Sequence, residues 1–261
     1  MKLKSQTELT NWALGSQYLW LFLDYDGTLA DFAPTPEVIR TDPRVIGLLE
    51  QLVNKPNIRV TVVSGRRLRD LRLLLPIEGI FLAGIYGIEL LKETGEIINR
   101  VAYNDIRPSI ETVKPQWEQL ISGRKGFFLE DKGWALALHA RFASDAQAEQ
   151  VLSAAKGILD HVGLSTDFRV LGGSKFLEVG PVLANKGKTV EYLLDRFEWP
   201  GALLVFIGDD DKDEEAFAVI QSRGGIAVVV AAKSRPSLAQ FRLDTPMDVR
   251  RWLQDLTLRL R

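Results

Sequence analysis

The chain has 261 residues, 46% of them hydrophobic and 26% charged, with 33 Lys and Arg against 34 Asp and Glu for a formal net charge of -1. That is the makeup of a folded chain long enough for one large domain or two small ones, without the basic field that recruits nucleic acid or anionic membrane. The absence of cysteine excludes disulfides, thiolate metal sites and a cysteine nucleophile, and with only His139 and His161 any metal is expected to be held by oxygen.

No signal-peptide layout is seen at the amino terminus, because the apolar run from Leu19 to Leu23 is short and meets acidic Asp24 at once. No apolar run is long enough to span a bilayer, so a cytoplasmic protein without a membrane partner is expected. Residues 1–18 suit a short helix through Leu9, Trp12 and Ala13. Leu19, Trp20, Leu21, Phe22 and Leu23 then read as a parallel strand buried on both faces, and Asp24-Tyr25-Asp26-Gly27-Thr28 opens where it ends. Pro34 and Pro36 mark a loop, after which Asp42 and Pro43 are the N-cap and first position of a helix carrying Val45, Ile46, Leu48, Leu49 and Leu52. Residues 58–63 make a β-branched strand broken by Ser64-Gly65-Arg66. Leu68, Leu71, Leu74 and Leu75 follow at helical spacing, and residues 80–83 form a third strand. This βαβαβ order with short, right-handed connections favours a parallel sheet.

From Gly87 the rhythm changes. Residues 88–91 and 97–101 flank the hairpin signal Glu93-Thr94-Gly95. A helix over 109–121, strands at 127–130 and 134–140, a helix over 145–159 and strands at 168–171 and 176–179 complete an α+β block with its own antiparallel sheet. The α/β rhythm returns at Asn185-Lys186-Gly187, which opens a helix. A strand at 202–207 follows, then the acidic turn Gly208-Asp209-Asp210-Asp211-Lys212-Asp213, a helix through Ala216, Phe217 and Ile220, a strand at 226–230 and a last helix over 246–258. The expected architecture is α/β: a Rossmann-like parallel-sheet core of residues 1–86 and 181–261, interrupted by an inserted α+β domain of residues 87–180. No internal repeat is present.

Ligands of open α/β sheets bind at the carboxyl ends of the strands. Asp24 and Asp26 stand at such an end, two residues apart and therefore on one face if the extended geometry persists. Each motif taken alone has an ordinary reading: solvated aspartates, a turn into a helix at Ser64, a surface lysine at 186, and aspartates at 209–213 capping a helix N-terminus. Their joint order at strand ends points instead to chemistry. Two carboxylate clusters repel unless a hard cation lies between them, and Mg²⁺ suits oxygen ligands. A serine hydroxyl, turn amides and a lysine add a phosphate cradle, and the whole set describes phosphoryl transfer.

In order and context these four motifs resemble those of the haloacid dehalogenase superfamily of phosphatases. The inserted block contains Glu130-Asp131-Lys132-Gly133, His139-Ala140-Arg141 and Gly173-Ser174-Lys175-Phe176-Leu177-Glu178-Val179 ahead of Asn185-Lys186-Gly187, and in this it is similar to the trehalose-6-phosphate phosphatase family. The resemblance implies a cap of the C2 type that carries specificity and closes over a sugar phosphate, trehalose 6-phosphate first among them. It implies Asp24 as nucleophile, Asp26 as general acid and then base, and Ser64 and Lys186 as holders of the phosphoryl group. Mg²⁺ would be bound by Asp24, the Asp26 main-chain carbonyl and Asp209, with Asp213 as a further ligand or its partner. Arg66, Glu130, Lys132, Arg141, Lys175 and Glu178 are the implied substrate-binding residues, and a separate trehalose-6-phosphate synthase the implied partner. The chemistry has its own logic, since a covalent aspartyl-phosphate divides one hard displacement into two and a sugar alkoxide leaves readily only when protonated.

Some residues resist the pattern. Lys175 and Glu178 are three apart and share no face of a regular strand without a bulge, whereas His139 and Arg141 share one if the strand runs on. His139 itself reads as a packed strand histidine. Where the family usually has histidine before glycine, this chain has Ile85-Tyr86-Gly87, and where it usually has arginine before proline, this chain has Gly180-Pro181. Another glycosyl-phosphate phosphatase, a phosphosugar mutase and a noncatalytic sugar-phosphate binder are the alternatives, and intact Asp24, Asp26 and Lys186 favour an enzyme.

Overall fold

A computed structural model describes residues 5–31, 42–173 and 175–260; the loop expected at Pro34 and Pro36, and Ser174, lie outside the described residues. The elements in order are α1 (Gln6–Gly15), β1 (Tyr18–Leu23), α2 (Pro43–Val53), β2 (Ile58–Val63), α3 (Leu68–Leu74), β3 (Phe81–Gly84), β4 (Glu89–Leu91) and β5 (Ile97–Asn99). There follow α4 (Tyr103–Ile121), β6 (Phe128–Asp131), β7 (Leu136–His139), α5 (Asp145–Val162), β8 (Phe168–Gly173) and β9 (Phe176–Pro181). The chain ends with α6 (Lys186–Arg196), β10 (Ala202–Gly208), α7 (Asp213–Ser222), β11 (Ile226–Val230), β12 (Phe241–Leu243) and α8 (Pro246–Arg259). Helix starts follow local capping chemistry: Ser5 and Glu8 form a reciprocal box on α1, and Asp42, Asn185 and Thr245 accept from main-chain N–H groups of α2, α6 and α8.

Two compact units make up the chain, Met1–Ile98 with Asn185–Arg261, and Asn99–Ala184. The first holds an eight-stranded sheet in the order β12-β11-β10-β1-β2-β3-β4-β5, parallel from β12 to β3. Every residue from Leu19 to Leu23 in β1 is at most 1% exposed. Alternation divides them between two layers. Leu19, Leu21 and Leu23 pack with α1, α2, α3 and α8, while Trp20 and Phe22 pack with α6 and α7. Burial on both sides is the reason the run carries no polar residue. The one polar atom it buries deeply, Trp20 Nε1, donates to Thr61 Oγ1 at 2.9 Å.

The second unit is an antiparallel sheet in the order β6-β7-β9-β8 with α4 and α5 on one face. Ile106, Ile110, Val113 and Trp117 form the buried stripe of α4 against Leu136, Leu138, Leu177 and Val179, and Trp117 Nε1 donates to Ala155 O at 3.1 Å. Among the described residues no helix is long and apolar enough to cross a membrane.

Three expectations need correction. The sequence rhythm puts the inserted block at residues 87–180, but β4 pairs antiparallel with β3 and the hairpin extends the large sheet, so the units divide at 98/99 and 184/185. Its turn is the expected one, with Lys92 N donating to Glu96 O at 2.8 Å, and buried Leu90 ties the hairpin to the α6/α7 layer. Helix α4 begins at Tyr103 rather than 109 and carries Pro108 and Pro115 inside it, because its buried stripe outweighs the hydrogen bonds the prolines cannot make. Strand β12 was not foreseen. Three residues are too few to show a period, and Phe241 and Leu243 are fixed by pairing with β11 and burial.

Candidate active site

Asp24 extends β1, its N–H donating to Ile207 O at 2.9 Å, and it continues the alternation of Trp20 and Phe22. That parity aims it at the layer of α6 and α7. Lys186, the first residue of α6, answers from there: its Nζ lies 2.6 Å from Asp24 Oδ1 and 2.5 Å from Asp213 Oδ1. Asp213 opens α7, is completely buried, and accepts from Asp210 N at 2.9 Å through its second oxygen. Gly208 makes this possible, since a Cβ there would stand 2.3 Å from the Asp213 carboxyl carbon. Thr28 Oγ1 donates to Asp209 Oδ1 at 3.2 Å, joining the Asp24–Thr28 turn to the acidic loop.

Asp24, Asp209 and Asp213 each offer an oxygen within 4.8 Å of the others. Burial pushes the Asp24 carboxyl well above its ordinary value, with Asp213 and Asp209 adding to the shift and Lys186 opposing it. Asp209 is pushed up to about 6, by burial first and Asp213 next. Burial works against the Lys186 charge, but Asp213 and Asp24 hold its pKa above the usual lysine value. Three carboxylates thus share a single ammonium, and a second, hard cation held by oxygen donors fits the remaining charge.

Ser64 and Asp24 each stand one residue beyond neighbouring parallel strands, β2 and β1. Ser64 is 1% exposed, and its Oγ accepts from Arg66 N at 3.2 Å. One sequence expectation, the common face of Asp24 and Asp26, changes here. Arg66, expected on substrate, forms a bidentate pair with Asp26, Nε to Oδ2 and Nη2 to Oδ1 both at 2.7 Å. The Asp26 carboxylate therefore stands outside the acidic cluster that its parity with Asp24 suggested, because the chain turns at Gly27, φ 85°, and Asp26 bridges Ala30 instead of continuing the strand.

In the second unit, the sheet face opposite α4 and α5 carries rows of partners: Phe128, His139 and Phe176 in one, Glu130, Ala137 and Glu178 in the next. His139 stacks on Phe128 at 4.4 Å between ring centroids and lies 2.9 Å from Glu130 Oε2 through Nε2. Lys132 Nζ donates to Glu178 Oε2 at 2.7 Å and stands 3.9 Å from Glu130 Oε2. Glu130, Lys132 and Glu178 are thus brought together. Lys175 is not. It precedes β9, with Nζ donating to Ala143 O at 2.6 Å and pairing with Asp145 at 2.7 Å, so no bulge brings it to Glu178. Arg141 lies exposed past the end of β7, where strand alternation with His139 no longer holds. Asp131 points to the helix side, where Arg107 grips both its oxygens at 2.7 and 2.9 Å and Lys114 donates at 3.0 Å.

The sequence pattern described as trehalose-phosphatase matches residues 22–247, more than half of the chain. The chain belongs to the trehalose-phosphatase family. Among relatives of this family member, a Sinorhizobium fredii protein named "Probable trehalose-phosphate phosphatase" is 32% identical over 224 residues, 85% of this chain and 78% of that one. An uncharacterized glycosyl hydrolase of Mycobacterium tuberculosis H37Rv is 30% identical over 245 residues, 90% of this chain, but the match spans only 18% of that much longer protein. The fold is that of the C-terminal domain of trehalose-6-phosphate phosphatase from C. albicans, with a TM-score of 0.87 at 23% identity, covering 98% of this chain and 97% of that one.

This trehalose-phosphatase family chain departs from the usual pattern at Gly180 for a packing reason: a Cβ there would sit 2.9 Å from Ala135 Cβ. Sequence reasoning gave no role to Thr28, Asp210 or Arg107. Thr28 lay inside a motif already singled out and could have been found. Asp210 lies in the acidic turn as well, its N–H donating to Asp213 three residues on, whereas Arg107 acts through Asp131, which only the folded chain brings near.

Proposed function

We propose that this chain is a Mg²⁺-dependent phosphatase of sugar phosphates, with trehalose 6-phosphate as its substrate. The observation that carries the reading is the buried Asp24–Lys186–Asp213 triad beside Asp209, at the strand tips of a trehalose-phosphatase family chain. Asp24 would attack phosphorus, breaking the bond to the sugar oxygen, while Asp26 gives that oxygen its proton. Asp26 would then take a proton from water, which attacks the aspartyl-phosphate, frees inorganic phosphate and restores Asp24. Ser64 and the turn amides after it would hold the phosphoryl oxygens, and Lys186 would offset their charge. Mg²⁺, held by Asp24, Asp209 and the Asp26 carbonyl with Asp213 close by, would supply electrostatic stabilisation of the transferring group. Arg66 enters this reading in a different way from that first expected: its fork fixes the Asp26 carboxylate in one orientation, and one of those oxygens would leave the fork to carry the proton that Asp26 gives.

In this reading the second unit, with core and cap divided near residues 98 and 184, recognises the sugar. Its sheet face opposite the helices would offer Glu130, Lys132 and Glu178 as acceptors and a donor for hydroxyls, and Arg141 and Lys175 remain candidates at its margins. A cytoplasmic setting and a separate trehalose-6-phosphate synthase as source of substrate complete the proposal. Phosphate release from a panel of sugar phosphates, with and without Mg²⁺, tests it. Turnover with trehalose 6-phosphate preferred and Mg²⁺ required is the expected result, and sugar-phosphate binding without phosphate release would make the chain a binder.

A further inference from the structure

Between β3 and β4 three successive residues, Ile85, Tyr86 and Gly87, take φ of 49°, 53° and 95°. Ile85 and Tyr86 are the only non-glycine residues with positive φ among the described residues. A β-branched and an aromatic residue hold that conformation only where the surroundings over-determine it. Here they do. Ile85 N donates to Arg66 O at 2.7 Å, Tyr86 N donates to Ser64 O at 2.8 Å, and Tyr86 O accepts from Thr189 Oγ1 of α6 at 2.6 Å. Thr189 is completely buried and fills the space a Cβ on Gly87 would need.

The strained backbone delivers the Tyr86 side chain to one place. A Cβ on Gly65 would lie 2.6 Å from the Tyr86 hydroxyl oxygen and 2.7 Å from its ring, so the phenol lies against the Ser64-Gly65-Arg66 turn and Gly65 is required to admit it. Tyr86 is 6% exposed, with the Lys212 ammonium of the acidic loop 6.0 Å from its ring centroid. A hydroxyl so placed adds a neutral donor beside the turn whose serine and amides are proposed to hold phosphate, while the Lys186 ammonium is already shared by two carboxylates.

We infer that Tyr86 is a phosphate-binding residue, its hydroxyl donating to an oxygen of the group held at the Ser64-Gly65 turn. The inference rests on the proposed phosphatase reading for the identity of that group, but it is tested without turnover. Inorganic phosphate is titrated calorimetrically, in the presence of Mg²⁺, into the wild-type chain, Tyr86→Phe and Tyr86→His. Tyr86→Phe keeps the ring against Gly65 and removes only the hydroxyl. It should keep its melting temperature and raise the Kd for phosphate about ten- to hundred-fold, the scale of a hydrogen bond to a charged oxygen. Tyr86→His, which keeps a donor, should recover part of that loss. An unchanged Kd for a folded Tyr86→Phe would make Tyr86 a packing residue and overturn the inference, as would a wild-type chain that binds no phosphate. A wild-type chain that binds phosphate yet releases none from any ester would defeat the catalytic proposal and leave the Tyr86 result standing.

Discussion

Lys186 stands between two buried carboxylates with a third close by, so its removal and the removal of one carboxylate should act in opposite directions on the fold. Lys186→Met leaves three crowded acids without their cation and should cost about 3–5 kcal/mol in metal-free denaturant unfolding. Asp24→Asn instead relieves the crowding that pushes the Asp24 carboxyl up, and should unfold no more easily than wild type while releasing no phosphate. Equal destabilisation by both variants would remove the charge argument. The motif strings made Asp24, Lys186 and Asp209 legible in the sequence, because each sits at the end of a strongly apolar strand or the start of a capped helix. The Asp26–Arg66 pair was not legible, since its members are 40 residues apart and nothing local says that the chain turns Asp26 toward β2.

At the scale of an element, the edge strand β6 carries side chains with opposite duties on its two faces. Asp131 faces α4: burial works against its charge, but Arg107, Gly133 N–H and Lys114 hold its pKa well below the carboxylate range. A depressed folded pKa gives stability that is present above the unfolded value, about 3.9, and is lost as pH falls through the folded value. Asp131→Asn should therefore lower the neutral-pH stability of the second unit by about 1–3 kcal/mol and flatten its loss below pH of about 4. Thermal melts between neutral and acid pH read both effects, and parallel curves for the two proteins would refute the assignment. On the opposite face of the sheet Glu178 of β9 pairs with Lys132, the residue that follows β6. Glu178→Gln should lower kcat/KM for trehalose 6-phosphate roughly five- to 150-fold, the worth of one buried polar partner, and barely change hydrolysis of p-nitrophenyl phosphate, which has no sugar. Equal losses on both substrates would assign Glu178 to the fold of the unit instead.

For the molecule as a whole, an ion bound by the native acidic cluster and not by the unfolded chain raises stability by mass action. Mg²⁺ at a hundred times its dissociation constant should add about 2.7 kcal/mol and raise the melting temperature, EDTA should reverse this and abolish phosphate release, and Asp209→Asn should blunt both responses. A melting temperature indifferent to Mg²⁺ and EDTA would argue against an ion at Asp24, Asp209 and Asp213.

The sequence by itself determined the parallel core, because two-sided burial leaves an unmistakable run such as Leu19 to Leu23, and it determined the order of the acidic, serine and lysine motifs at the strand ends. It limited any metal to oxygen ligands too, since a chain without cysteine and with two histidines has oxygen left to offer. Tertiary structure decided the rest. It gave the hairpin β4–β5 to the large sheet, as hairpin turns look alike wherever the strands dock. It parted Lys175 from Glu178 and joined Glu178 to Lys132, 46 residues away. It also forced Ile85 and Tyr86 into left-handed backbone, against their local preference, through hydrogen bonds to Ser64 O and Arg66 O and from Thr189 that no pattern of neighbouring residues encodes.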